Sequence, residues 1–502
     1  MTYLLGLDLG TSSLKTILYE VETGQTVVSP AREYPIHHPQ PGYAEQNPDG
    51  WWNAAVEAVR AVLHISGIDT AAVRAISLDG HMHGGILLGA DLRPVRPAII
   101  WADTRGKPQV DELRECLSLA DIAQHAPGLP AAGFFGPTLK WLAQHEPDTL
   151  RRTHVIVMPK DYVRLQMTGT AATDPTDAAA TWLFDITSGD WSDWLLEQCQ
   201  AERRYLPPVL PSAAIAGELL PSAAAALGLP AGIPVITGCA DLPAQGLGHR
   251  LYAPGRAILA IGTGGQVFSL LNQPLTDSQL RYYVFDYPIP GYWYVQTAIL
   301  SAGLSLRWLR DTLGLTNRPD AYDYLSQLAA EVPPGADGLV FLPYLAGERT
   351  PHMDAAASGL FLGLRLHHTA GHLARAVMEG VTLAMDECLS LVLAASGDPD
   401  LAVTISGGAA TSPVWRQIQA DIYQRPLTLA AGENHGAVGS ALLAGVGAGI
   451  YTSFEDACSH LPAATTQIDP NPANTEIYAA RRDLYRSLYP RLQDTMHRLN
   501  AS

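Results

Sequence analysis

Positive charge is what this chain has least of. Lysine stands only at Lys15, Lys107, Lys140 and Lys160 in 502 residues, so the later two-thirds of the chain relies on arginine. Acidic residues outnumber Lys and Arg by 49 to 32, a formal charge of −17 at pH 7. Such a surface repels polyphosphate chains, which argues against nucleic acid as a partner. The P-loop pattern GxxxxGK[ST] is also missing, because Lys107 is followed by Pro108 and lacks the upstream glycine. A phosphate site here must therefore be built from backbone N–H groups, hydroxyls and a metal ion.

Cysteine is equally sparse. Cys116, Cys199, Cys239, Cys388 and Cys458 are scattered without CxxC spacing, which is the usage of reduced thiols in a cytoplasm. No basic n-region precedes the first apolar run, so that run reads as a strand and not as a signal peptide. The long uncharged stretch from Gly436 to Tyr451 is shorter than the ~20 residues of a membrane span. Its five glycines fit a buried helix followed by a turn, and no membrane partner is expected. What remains is a soluble globular composition, 47% hydrophobic and 16% charged, long enough for two large domains.

Strands come first: YLLGLDL, LKTILYEV and TVVSPAREYPI form a meander, and a helix begins near DGWWNAAVEAVRAVL. Helical patterns then alternate with apolar runs to about residue 245, giving an α/β domain with a mixed sheet. A second block from RAILAIGTGGQVFSLL repeats the opening order of strand, Gly-Thr turn and strand (Gly10-Thr11-Ser12 against Gly262-Thr263-Gly264). It adds a long amphipathic helix, LARAVMEGVTLAMDECLSLVLAA, and a strand-turn-helix ending IQADIYQ. The expected division is 1–245 and 246–502, two related halves with a ligand between their turns, closed by a helix over 475–499.

The opening turn, DLGTSS, ends a buried strand on Asp8 and passes into small, bond-donating residues. Successive N–H groups in such a turn make a concave nest for anionic oxygens, and a carboxylate beside phosphates makes sense when Mg²⁺ sits between them. An ordinary hairpin with its acid in water has the same local sequence.

Several separated motifs carry more. DLGTSSLK, GYAEQNPDGWW, FGPTLKWL, FLPYLAGERTPH, SGLFLGLRLHH and SGGA together resemble the FGGY family of carbohydrate kinases. The likeness runs to about residue 450 and is nearest the family's xylulokinases, which carry GQMHG where this chain has GHMHG. It implies a fold of two actin-like, ribonuclease-H-type domains with ATP and sugar meeting in the cleft. It implies too that Asp8 orients Mg²⁺ through water and that Gly10, Thr11, Ser12, Gly262 and Thr263 face the phosphates. Gly407, Gly408 and Ala409 would lie against the adenosine. Asp241, after the run IPVITGCA, would accept the proton of the sugar hydroxyl; read without the family, it is a helix cap. His81, Met82 and His83 would lie beside the sugar, with Trp101 and Asp103 near it.

Other readings stand beside these. His81 and His83 share a strand face if the strand continues, which is a spacing for metal ligands. Trp101 packed in the core and a surface Asp103–Arg105 pair is the plainer account of IIWADTR. In GERTPH, Arg349 is expected to pair with an acid across the domain base, a structural role. The family's xylulokinases place Asn after the catalytic aspartate, whereas this chain has Leu242, which cannot hydrogen-bond a sugar. The function implied is ATP-dependent phosphorylation of a ketopentose, D-xylulose first, with another pentulose or polyol as the alternative and a non-catalytic sugar or ATP sensor as the remote one. Such an enzyme needs ATP, Mg²⁺ and a small sugar, and works in the cytoplasm as a monomer or homodimer.

Overall fold

A computed structural model describes residues 1–463 and 466–500. Two mixed sheets dominate it. In the first, β1 (Tyr3–Leu9) lies at the centre, with β2 (Ser13–Glu20) and β3 (Thr26–Val28) antiparallel on one side. On its other side β4 (Val73–Gly80) pairs parallel, followed by β6 (Pro234–Ile236) and β5 (Ile215–Glu218). The second sheet repeats this plan, antiparallel strands on one side of the centre and parallel ones on the other, with an extra strand on the antiparallel side. Its centre is β7 (Arg256–Ile261), with β8 (Gly265–Leu271), β10 (Trp293–Ile299) and β9 (Tyr283–Asp286) successively antiparallel. On the far side β11 (Ala402–Ser406) and β12 (Leu427–Leu429) pair parallel, and β13 (Gln467–Ile468) closes the edge. The sequence echo is thus a repeat of topology.

Both central strands are near-continuous apolar runs because helices cover both faces of the sheet. The first covering helix, α1 (Pro48–Ser66), is set by Asn47, whose side chain accepts the Asp49 N–H, by Pro48 in its first turn and by Gly67 at φ 63° after its end.

The junction between the halves is made by two helices, α4 (Asp241–Gly248) and α7 (His435–Gly447). Each lies against the other half's sheet. A Cβ at Gly6 of β1 would stand 2.1 Å from Ala437 O of α7, and one at Gly246 of α4 would stand 3.2 Å from the Phe268 ring of β8. Where the helices cross, a Cβ at Gly439 would stand 1.9 Å from Ala244 O, so backbone meets backbone with no room for a side chain. A boundary at residue 245 falls inside α4.

One pattern resolved differently. The helix expected to be amphipathic, α6 over Ala370–Ser396 (α5, Gly303–Thr312, precedes it), is buried at every residue from Ala374 to Asp386. Its polar side chains are used inward. Arg375 Nε donates to Glu379 Oε1 at 2.8 Å, and Arg375 Nη2 donates to Tyr478 Oη at 2.9 Å. Tyr478 belongs to the terminal helix α8, Thr475–Asn500.

Candidate active site

The two hairpin turns sit at equivalent points of the two sheets. In the first, Gly10 N–H donates to Ser13 O at 3.0 Å, and in the second Gly262 N–H donates to Gly264 O at 2.9 Å. Among the described residues the amides of Thr11, Ser12, Thr263 and Gly264 donate to nothing in the chain. Free N–H groups at a tight turn form a nest for an anion. Gly262 and Thr263 line two cavities, of about 490 Å³ and 740 Å³, which also share Thr411. The first runs past Gly408 and Ala409 to Tyr322 and Trp415, and the second reaches Gly407, Gly436 and Asp8.

The glycines of SGGA differ in what they do. Gly407 has φ 81°, and a Cβ there would meet Ile261 O at 2.5 Å, so the backbone requires glycine. At Gly408 a Cβ would have one neighbour, at 3.9 Å, and would otherwise enter the smaller cavity.

Acids gather where α4 and α7 begin. Asp8 and Asp79 are partners across the parallel β1–β4 register and share a side-chain hydrogen bond. Ser440 Oγ of α7 donates to Asp79 Oδ2 at 2.6 Å. Burial, with the charge of Asp8 beside it, pushes the Asp79 carboxyl well up, and burial raises Asp8 too, against the hydrogen bond from Asp79 and the charge of Lys15. Asp241 is the first residue of α4. Its Oδ1 accepts the Leu242 N–H at 2.8 Å, and burial together with Asp8 pushes its carboxyl up to about 7. Gln245, on the same helix face at i+4, lines the larger cavity with Asp8.

Mg²⁺ keeps most of its waters and takes one or two carboxylates plus substrate phosphates. An acidic Asp8 below two nests of free amides fits that demand. Among the described residues no three His, Cys, Asp or Glu form a metal cage.

His81 follows β4 and is buried edge-on against Trp51 at 5.5 Å between centroids. Neither of its ring nitrogens has a hydrogen-bond partner among the described residues, and the same holds for Trp51 Nε1 and Gln46 Oε1, while Gln46 Nε2 donates to Thr11 O at 2.8 Å. Met82 receives the Tyr294 hydroxyl at its sulfur, 3.9 Å away, from the opposite half. His83 stacks on Phe134 at 4.3 Å and its Nδ1 is 2.7 Å from Ala180 O. The strand ends at Gly80 and His83 has φ 72°, so the two imidazoles diverge and the metal-ligand spacing does not survive. Leu242 is buried, 5% exposed.

Three local expectations are corrected. Trp101 is 42% exposed, not core, and its Nε1 donates to Thr11 Oγ1 at 2.8 Å. Asp103 and Arg105 do pair, but buried: Asp103 accepts from Ala44 N–H, from Arg105 N–H and from Arg105 Nε and Nη2. Four donors fill a carboxylate, so Asp103 has no acceptor left for a sugar hydroxyl. Arg105 also donates to Glu45 at 2.6 Å and lies over the Tyr43 ring. Arg349 makes no ion pair among the described residues; burial, with a smaller contribution from the Arg349 charge, holds His83 down to about 4.

Sequence reasoning missed Asp79, Gln46, Ser440 and a buried ion cluster. Lys160 Nζ lies 2.7–2.9 Å from Asp161, Asp174 and Asp177, all fully buried. Asp174 Oδ2 accepts from Thr176 Oγ1, which accepts the Ala240 N–H at 2.8 Å, one residue before Asp241. The cluster thereby fixes where Asp241 starts. The signal available was a lone lysine in a sequence nearly devoid of them.

Two family models match the chain, the FGGY family of carbohydrate kinases N-terminal domain over residues 3–248 and its C-terminal domain over residues 257–448. The xylulose kinase of Bacillus subtilis (strain 168) is 34% identical over 496 residues, 98% of each chain. That of Escherichia coli (strain K12) is 35% identical over 493 residues, 98% of this chain and 99% of its own. The crystal structure of xylulose kinase from Rhodospirillum rubrum superposes with a TM-score of 0.90 at 31% identity, covering 99% of this chain and 100% of its own.

Proposed function

The chain belongs to the FGGY family of carbohydrate kinases, and on that premise we propose that it phosphorylates D-xylulose with ATP, giving D-xylulose 5-phosphate and ADP. The observation that carries the chemistry is Asp241. It is a half-buried carboxyl raised to about 7, with one oxygen committed to Leu242 N–H and the other free, beside Asp8 at the head of the helix that joins the halves. A base with that affinity takes the hydroxyl proton as the oxygen attacks phosphorus and can hold it after the bond to ADP breaks.

Residues 1–245 serve the sugar and 246–502 the nucleotide. Thr11, Ser12, Gly262 and Thr263 offer amides and hydroxyls to the β- and γ-phosphates, and Gly10 shapes the first turn. Gly407, Gly408 and Ala409 leave room for the adenosine. His81, Met82 and His83 stand beside the ketose, and the unpartnered nitrogens of His81 are donors or acceptors for its hydroxyls. Trp101, tied to Thr11, offers an indole face at the rim. Mg²⁺ held near Asp8 through water would supply charge neutralisation on the phosphates. Positioning and exclusion of water by closure of the halves account for the rest. The enzyme works in the cytoplasm as a monomer or homodimer and has no dealings with nucleic acid.

Leu242 keeps a neighbouring pentulose in view as substrate, because an apolar side chain removes one hydroxyl partner. ADP release with Mg-ATP against D-xylulose, D-ribulose, L-ribulose, L-xylulose, glycerol and gluconate tests the reading. D-xylulose should give the highest kcat/KM. Another sugar in first place would transfer the substrate to that pentulose, and ADP release no faster with any sugar than without would overturn the enzyme.

A further inference from the structure

Behind the nucleotide cleft lies a third cavity, of about 350 Å³, that the reaction does not use. Tyr19 and Thr26 line it from the first sheet, Thr404 and Thr428 from the second, and His249 and Arg250 from the connection between them. It therefore spans both halves. Its volume is at the small end of metabolite pockets.

Its chemistry is cationic and uncompensated. Arg256 lines the cavity, and among the described residues its guanidinium has no hydrogen bond and no ion pair. Among the described residues Arg250 makes one side-chain bond, Nη1 to Leu461 O at 3.2 Å, and no ion pair. His249 is buried, 7% exposed, and its Nδ1 has no hydrogen-bond partner among the described residues. Among the described residues the one carboxylate on the lining is Glu433, exposed and without an ion pair, which leaves two guanidinium charges against one. An unpaired guanidinium beside a buried imidazole with an open nitrogen leaves hydrogen-bonding capacity that an anion can use, the ring nitrogen donating in one of its two tautomers.

We infer that this cavity is a second anion site, taking a small phosphorylated compound on Arg256, Arg250 and His249, separate from the nucleotide cleft. The two are separated by one wall. His249 and His435, with ring centroids 3.8 Å apart, line both cavities. His435 opens α7 and is followed by Gly436, where a Cβ would stand 3.0 Å from Asp8 Oδ2. An anion behind the pair thus bears on the helix start that faces Asp8 and ties the two sheets together across their junction.

The test is calorimetric titration at constant ionic strength with two ligands, orthophosphate and D-xylulose 5-phosphate, on the parent, Arg256→Met, Arg250→Met and Thr263→Ala. The expected result is saturable binding that weakens at least tenfold in both arginine variants and is unchanged in Thr263→Ala. Tighter binding of the sugar phosphate would identify the ligand as a phosphate monoester, and equal affinities would identify the free dianion. Either arginine variant alone suffices should the other fail to fold, as judged by circular dichroism. Absence of saturable binding, or loss in Thr263→Ala with none in the arginine variants, would overturn the proposal. Binding is read without turnover, and Arg250 and Arg256 line only this cavity, so their variants separate it from product binding at the reaction site.

Discussion

The two halves are the same fold put to opposite uses, and their equivalent positions show how. Asp8 and Asp79 face each other across the parallel pair in the first half, and Ala260 and Ser406 occupy that register in the second. After the strand that pairs parallel with the central one, the first half continues as His81-Met82-His83 and the second as Gly407-Gly408-Ala409. The helix that leaves each sheet begins with Asp241 in one half and His435 in the other. One side presents acids and shaped polar side chains, the other bare backbone and space. A phosphoryl donor that is large and anionic belongs on the bare side, and the alcohol that must lose a proton belongs beside the acids.

That contrast is breakable at several points. Lys160→Met removes the cation from three buried carboxylates and should cost about 3–5 kcal/mol in urea unfolding. Breaking it tests whether the acidic half needs this cluster to hold the start of α4. Asp8→Asn should raise the Mg²⁺ concentration for half-maximal rate about 10- to 100-fold, with the KM for sugar little changed. Gly408→Ala fills space on the bare side and should raise the KM for ATP about tenfold, as overpacking by one methyl commonly costs ~1–3 kcal/mol. Its KM for sugar should not move, and if both rise together the division of labour is wrong.

The smallest effect is on stability against pH. Asp241 is raised to about 7 and Asp286 and Glu348 to about 8, each chiefly by burial. A carboxyl whose folded pKa lies above its unfolded value contributes stability in full below about pH 4 and loses it as pH rises through the folded pKa. The Tm of the unliganded protein should therefore fall between pH 5 and about 8, and Asp241→Asn should flatten part of that fall.

How much of this was legible in the sequence depended on range. The Gly-Thr turns and the apolar helix after Gly436 are local patterns, and the family likeness brought Asp241 forward from an ordinary cap. Asp79 was invisible because its meaning lies in parallel register with Asp8, a pairing between strands far apart in the chain. Asp103 misled because two charges at i, i+2 look like a surface pair, and only Glu45, Ala44 and Tyr43, brought over it by folding, make it buried and saturated. Arg349 sits in the local motif GERTPH, yet where its charge falls is decided by how the halves meet.

The central claim is that Asp241 takes the proton. Single-turnover phosphoryl transfer to D-xylulose by Asp241→Asn, beside the parent and with Mg-ATP affinity measured by calorimetry, tests it most directly. The account predicts a rate lower by ~10²–10⁴ with nucleotide affinity retained. A variant that transfers within about tenfold of the parent would contradict it, because less than 10² is too small a loss for the general base.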